Sequence, residues 1–287
     1  MIAFYLGADG TDSGRLLRSV LRSREILGSQ SIIVPPPRHY RNLTRAALTV
    51  LNGDTSAAER VGALMDEVAA REPADRLVMF AESVFSEPGQ AVDGHLLYPL
   101  APLRLAAFRA LLQGRPMEFH LALCNPATIA QALGSANDGA RALTGAEARN
   151  LSWLATMTEI IRTNPGIRLT LWCYEDAALI WPEVLRALSG YRGPALLDGD
   201  NDMLAMLLTE EGYRSLARSL LARPPRSVAE RRDRIGTALE ADAKPDVLAL
   251  DISLPGWGGD DVRVISERYE EDCAEIARLP GVTFIAA

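Results

Sequence analysis

Lysine is all but missing from these 287 residues: of the 30 lysines and arginines, only Lys244 is a lysine. Positive charge is therefore carried by guanidinium groups, and acidic residues outnumber basic ones, for a formal net charge of −7. Such a balance disfavours nonspecific binding to nucleic acid or to an anionic membrane, both of which draw on an excess of Lys and Arg. Cysteine is also scarce. Cys124, Cys173 and Cys273 lie far apart along the chain with no pairing rhythm, which argues against a disulfide framework or a zinc cluster. His39, His95 and His120 fall in separate segments without metal-ligand spacing. No apolar run reaches the ~18 residues that a membrane span needs, and the chain opens on a strand-like segment rather than on a basic start with an apolar stretch. The expectation is a soluble protein in a reducing, cytoplasmic setting.

What is present is ample core material, 48% hydrophobic residues, arranged as apolar strands alternating with helical periodicity. Ile2 to Leu6, Ser31 to Val34, Arg76 to Phe80, Glu118 to Leu123 and Ile167 to Cys173 read as strands bounded by Gly and Pro. Helices are predicted over Arg15 to Leu27, Arg41 to Leu51, Ser56 to Arg71, Ala101 to Leu112 and Gly145 to Arg162, the last opened by Thr144 with Glu147 three residues on. A loop is expected at Glu87-Pro88-Gly89-Gln90, and Trp181-Pro182-Glu183 opens or interrupts a further helix. From about Asn201 the pattern turns helical: Met203 to Leu208, Tyr213 to Ala222, the charged run Glu230 to Arg234, and Asp261 to Ala277, before a terminal strand or extended tail at Val282 to Ile285. The charged run has the composition of a solvated helix face. This order predicts one three-layer α/β domain over 1–287, a mainly parallel sheet covered on both faces, with a helical subregion at about 201–287. Ligands of such sheets bind at the carboxyl ends of the strands. Those ends are Gly7 to Gly14, Glu82-Ser83, Cys124-Asn125 and Glu175-Asp176.

The first of them, Leu6-Gly7-Ala8-Asp9-Gly10-Thr11-Asp12-Ser13-Gly14, joins a strand to a helix, where backbone N–H groups can cradle a phosphate. A full phosphate loop adds a lysine followed by Ser or Thr. This one has none.

The chain resembles a divergent bacterial branch of the sulfotransferase family, whose members open with a strand and a loop reading roughly Gly-x-His-Lys-Thr-Gly-Thr-Thr. Gly7 matches the first glycine and Thr11 the threonine; Asp9 stands for the histidine, Gly10 for the lysine, Asp12 for a glycine, and Ser13-Gly14 for the two hydroxyl residues. Phe80-Ala81-Glu82-Ser83 is similar to the family's Ser-x-Glu-Asn strand end, and Leu97-Tyr98-Pro99 through Arg104-Leu105 fits the same branch. Leu121 to Pro126 matches the Arg-Asn-Pro segment with Cys124 in the arginine's place, and the serine expected eight residues on falls at Ala132. Trp172 to Asp176, Ile180 to Glu183 and Leu279 to Phe284 complete the likeness.

The resemblance implies sulfuryl transfer from 3′-phosphoadenosine 5′-phosphosulfate (PAPS) to a small-molecule or protein acceptor, and a phosphate-loop type of sheet. It also implies a donor site at Gly7, Gly10, Thr11, Asp12, Ser13, Gly14, Arg15, Cys124 and Asn125. The lysine, arginine and serine that would stabilise the transferred group and hold the 3′-phosphate are all substituted. Loss of one such donor costs about 10²–10³ in rate. Asp9 and Asp12 add negative charge where a helix N-terminus would attract an anion, and Asp12 or Ser13 can cap that helix instead. The expectation is a degraded PAPS site in a non-catalytic or binding protein. Two alternatives stay open: an active enzyme with an arginine clamp from Arg15, Arg38 or Arg41, and a protein-interaction subunit using the helical C-terminal third. Glu82 and His95 are the candidate acceptor bases. His120 reads as a satisfied strand residue, Cys124 as a small buried one, and Trp172, Trp181 and Trp257 as packing.

Overall fold

The computed structural model describes all residues except 72, 88, 136–142, 246–251 and 253, with the side chain of Ser13 also set aside. Pro88 of the expected loop and the Ser13 side chain therefore lie outside the described residues. The chain runs β1 (Ile2–Tyr5), α1 (Ser13–Arg22), α2 (Arg24–Gly28), β2 (Ile32–Ile33), α3 (Pro37–Leu51), α4 (Ala58–Arg71), β3 (Arg76–Phe80), α5 (Glu82–Phe85), β4 (Val92–Asp93) and β5 (Leu96–Leu97). It continues through α6 (Ala101–Leu111), β6 (Met117–Leu123), α7 (Pro126–Ser135), α8 (Gly145–Ala148), α9 (Trp153–Thr163), β7 (Leu169–Cys173), α10 (Ala177–Ser189), α11 (Asp202–Leu207), α12 (Glu210–Ala222) and α13 (Val228–Asp242). The helix Gly259–Ile276, here α14, and β8 (Val282–Ile285) end it.

Six strands form one parallel sheet in the order β2-β3-β1-β6-β7-β8. Alternation within each strand divides the core. Ile2, Phe4, Leu77, Met79, Phe119, Leu121, Leu169 and Leu171 face α3, α4, α6, α9 and α14, whereas Ala3, Tyr5, Val78, Phe80, Ala122 and Trp172 face α1, α2 and α10. Phe4 stacks on Phe119 and meets Phe108 edge-on, at 5.8 and 5.1 Å between centroids. A smaller cluster around Leu204, Leu208, Leu216 and Ile235 joins α11, α12 and α13 to Ala178 of α10. This is the three-layer α/β arrangement with a helical C-terminal third. The chain leaves β1 toward β2 on one side and β6 toward β7 on the other, so the topological switch lies between the carboxyl ends of β1 and β6, where such sheets take ligands.

Several boundaries differ from the sequence expectation for local reasons. The helix after β1 breaks at Ser23 into α1 and α2. Helix α3 begins at Pro37 rather than Arg41, because proline at the first helical position loses no bond that would have been made. Strand β3 has the expected bounds, and Glu82-Ser83 beyond its end opens the short helix α5. The long helix over Gly145 to Arg162 is two: the Thr144/Glu147 capping box forms, but the chain turns at 149–152 and Ser152 caps α9 by accepting from the Ala155 N–H at 3.1 Å. Pro182 sits inside α10. The β4–β5 hairpin, two residues a side, was not anticipated. Arg232 of the charged run is not simply solvated; it pairs with Glu183 at 3.2 Å, only 22% exposed. No helix among the described residues is long and apolar enough to cross a membrane.

Candidate functional site

The β1–α1 loop folds on itself. Gly7 and Gly10 carry φ of +59° and +84°, the left-handed region that favours glycine. At the α1 N-terminus Asp12 accepts from the Arg15 backbone N–H at 2.9 Å and from Arg15 Nε at 3.0 Å, with Arg18 at 3.9 Å. A carboxylate therefore sits at the position that an anion would take. The Thr11 hydroxyl and N–H both turn back to the Ala8 carbonyl, at 2.6 and 3.2 Å. The Asp9 N–H donates to the Tyr98 oxygen at 2.8 Å while the Tyr98 hydroxyl donates to Asp9 Oδ2 at 2.9 Å. Tyr98 reaches this place with φ of +50°, a conformation a bulky residue holds only when its surroundings over-determine it. Those surroundings are Phe85 and a stacked Trp153, whose centroids lie 4.7 and 5.3 Å away.

Gly10 decides what the loop can hold. A Cβ there would lie 3.0 Å from Thr128 Cγ2 and 3.3 Å from Cys124 Sγ. Position 10 is thus backed against α7 and the end of β6, in a backbone conformation that a side chain strains. Cys124 itself is fully buried, its Sγ donates to the Asp9 carbonyl at 3.2 Å, and burial pushes its thiol well above the usual range, so it stays protonated.

Beside the loop, at the switch between β1 and β6, opens a cleft of about 490 Å³. Its polar wall is Gly10, Asn125, Thr128, Tyr174, Glu175 and Ser266; its apolar wall is Leu179, Met203, Met206, Leu207, Leu239 and Val262. No lysine or arginine is among the described lining residues. The Glu175 carboxyl accepts from the Asn125 N–H at 2.7 Å and meets the Tyr269 hydroxyl at 2.9 Å, and burial pushes it up. That hydroxyl is also 3.2 Å from the Leu123 carbonyl, so a protonated Glu175 can donate to Tyr269 while Tyr269 donates to Leu123. The Thr128 hydroxyl has no hydrogen-bond partner in the described structure. Asn125 spans the site, its side chain accepting from the Ala127 N–H at 3.0 Å and donating to Ser266 at 2.7 Å.

Of the expected donor-site residues, the structure brings Gly10, Cys124 and Asn125 together, places Gly7, Thr11 and Asp12 in the self-bonded loop and the Ser13–Gly14 backbone in the first turn of α1, and commits Arg15 to Asp12. Arg38 and Arg41 lie exposed on α3 beyond β2, and neither lines the cleft. The two candidate bases are not gathered there either. Glu82 opens α5 at the end of β3, its carboxyl raised by burial. His95 is exposed at the tip of the β4–β5 hairpin, over a separate hollow of about 360 Å³ beside Tyr98 and Asn150. Glu175, Thr128, Ser266 and Tyr269 were not anticipated as a group. Glu175 lay at a flagged strand end, and the only trace of Tyr269 was an aromatic ring in the charged stretch Ser266 to Glu271. Among the described residues no three His, Cys, Asp or Glu side chains are placed to hold a metal ion.

No family model, curated protein or solved structure matches the chain. Function must therefore be argued from the site.

Asp12 gives a direct check on the loop. D12A removes an N-cap acceptor, expected to cost about 1 kcal/mol, or roughly 2–4 °C in melting temperature for a chain of this size. A variant that melts with the parent would mean the cap contributes nothing.

Proposed function

We propose that the protein is a sulfotransferase-like binding protein with a degenerate donor loop. Its cleft at the ends of β1, β6 and β7 takes a small, largely apolar molecule with a cationic or hydrogen-bond-donating head group. The observation that carries this reading is the closed loop: Asp12 caps α1, Tyr98 holds Asp9, and Gly10 is backed onto Thr128 and Cys124. An anion there would meet the Asp12 carboxylate, which already engages Arg15 at 3.0 Å and has Arg18 at 3.9 Å. The cleft supports the positive half of the reading. Glu175, the one carboxylate among its described lining residues, is exposed as a residue while its carboxyl is partly desolvated against Asn125 and Tyr269, and it faces apolar side chains across a space suited to a small ligand; a cationic head group would restore the charged form that desolvation disfavours.

Titration with adenosine 3′,5′-bisphosphate (PAP) up to millimolar concentration is expected to give no heat and no change in melting temperature. Primary alkylamines such as hexylamine are expected to stabilise the wild type, because a ligand that binds only the folded state raises its stability. E175Q is expected to lose that response. G10K is expected to melt lower than the parent and still not bind the nucleotide. A clear rise in melting temperature with PAP would overturn the reading, as would a response to alkylamines that E175Q retains in full.

A further inference from the structure

Two of the three thiols, read from the sequence as unrelated, meet in the fold. Cys173 closes β7 and is half-buried; Cys273 lies buried on α14; both are free, with sulfurs 3.4 Å apart across a separation of 100 residues. The pair sits beneath the cleft, for Glu175 is two residues beyond Cys173 and Tyr269 one helical turn before Cys273. The two sulfurs are unequal. The hydrogen bond between the two sulfurs holds the Cys173 thiol below its ordinary range, helped by Tyr269 and opposed by burial, whereas Cys273 is pushed up by the same bond and by burial. Glu175 and Asp176 oppose ionisation of Cys173 without reversing the direction. The more acidic sulfur is also the more exposed one, the combination that marks an attacking thiol.

We propose that Cys173 and Cys273 form a reversible dithiol–disulfide site whose oxidant is a hydroperoxide. The Cys173 thiolate attacks the terminal peroxide oxygen, the O–O bond breaks, and the alkoxide leaves with a proton as the alcohol; Cys173 is then a sulfenic acid. Cys273 attacks that sulfur, the S–S bond forms, and the hydroxyl leaves with the Cys273 proton as water. Two thiols lose two electrons and the peroxide gains them. The new bond ties the strand end bearing Glu175 to the helix bearing Tyr269. Return requires an external thiol, which attacks the disulfide.

The test uses the full chain, treated with a small excess of hydrogen peroxide and then alkylated under denaturing conditions. Expected are a mass loss of two hydrogens, one alkylated cysteine identified as Cys124, a Cys173–Cys273 linked peptide, and recovery of all three thiols with a dithiol reductant. The oxidised protein is expected to melt roughly 5 °C or more above the reduced one, because the bond closes a long loop. C273S should stop at a sulfenic acid that dimedone traps on Cys173. Three alkylatable thiols after peroxide, a link from Cys173 to Cys124, or sulfinic acid on Cys173 with Cys273 still free would each overturn the proposal.

Discussion

Replacing Trp153 with alanine is expected to lower stability by about 3–5 kcal/mol, the range for a fully buried Trp truncated to a methyl group. For a chain of this size that is a fall in melting temperature on the order of 10 °C. Trp153 is completely buried, its Nε1 donates to the Cys124 carbonyl at 2.8 Å, and its ring stacks on Tyr98. Truncation therefore opens a cavity, orphans a carbonyl at the end of β6, and removes the plate that holds Tyr98 in its left-handed conformation. Since Tyr98 anchors Asp9, damage should reach the β1–α1 loop, seen as faster hydrogen exchange at the Asp9 amide. W153F separates the causes: it keeps most of the ring and loses the hydrogen bond, an expected cost of about 1–3 kcal/mol. Denaturant unfolding with an unchanged slope would report both values. A W153A protein within 1 kcal/mol of the parent would show that the ring is not the support described.

The fold was legible in the sequence where the signal is local and periodic. The five apolar runs became five of the six strands of the sheet, because alternation such as Ile2/Phe4 against Ala3/Tyr5 leaves each strand two buried faces, as a covered parallel sheet requires. Boundaries were less legible wherever a polar side chain competes with the ladder. Ser152 caps a second helix and splits the one expected over Gly145 to Arg162. The site was legible only in outline. That Asp12 or Ser13 could cap α1 followed from residue type and place, with Asp12 the one that does, but whether Gly10 stands open or backed against Thr128 depends on α7, more than 110 residues away, and no local pattern encodes that contact. The Glu175–Tyr269 and Cys173–Cys273 contacts are of the same kind: each joins β7 to α14 across about 100 residues. Spacing along the chain counts residues, whereas the parallel sheet sets which ends converge, so the absence of a pairing rhythm spoke to a disulfide framework and not to whether two free thiols meet.

Replacing Arg76 with methionine is expected to cost about 3–5 kcal/mol at neutral pH, because it breaks a largely buried ion pair from one side. Arg76, 14% exposed, pairs with Glu118 and donates to the Leu188 carbonyl at 2.9 Å and the Ala187 carbonyl at 3.2 Å, at the carboxyl end of α10 where a cation is favoured. Its stem lies over Gly190, which ends α10 with φ of +73°. Burial alone would raise the Glu118 carboxyl, but hydrogen bonds and charge from His120 and Arg76 outweigh it and hold the group at about 2, against 4.5 when unfolded. A carboxyl depressed on folding contributes stability in full above about pH 4.5 and loses it as pH falls toward 2. The linkage amounts to about 3 kcal/mol. His120 adds a loss at higher pH. Burial lowers its pKa below 6.5, with Glu118 opposing, so the unfolded chain takes up a proton first as pH drops through 6.5. Wild-type stability should therefore fall in two stages on acidification, one beginning near pH 6.5 and a steeper one below 4.5. In R76M Glu118 keeps only His120, its pKa rises toward 4.5, and the second stage should still begin near pH 4.5 but end at higher pH and be smaller. Denaturant midpoints measured from pH 7 to pH 3 would check this; an R76M profile parallel to that of the parent would mean that Arg76 does not set the ionisation of Glu118.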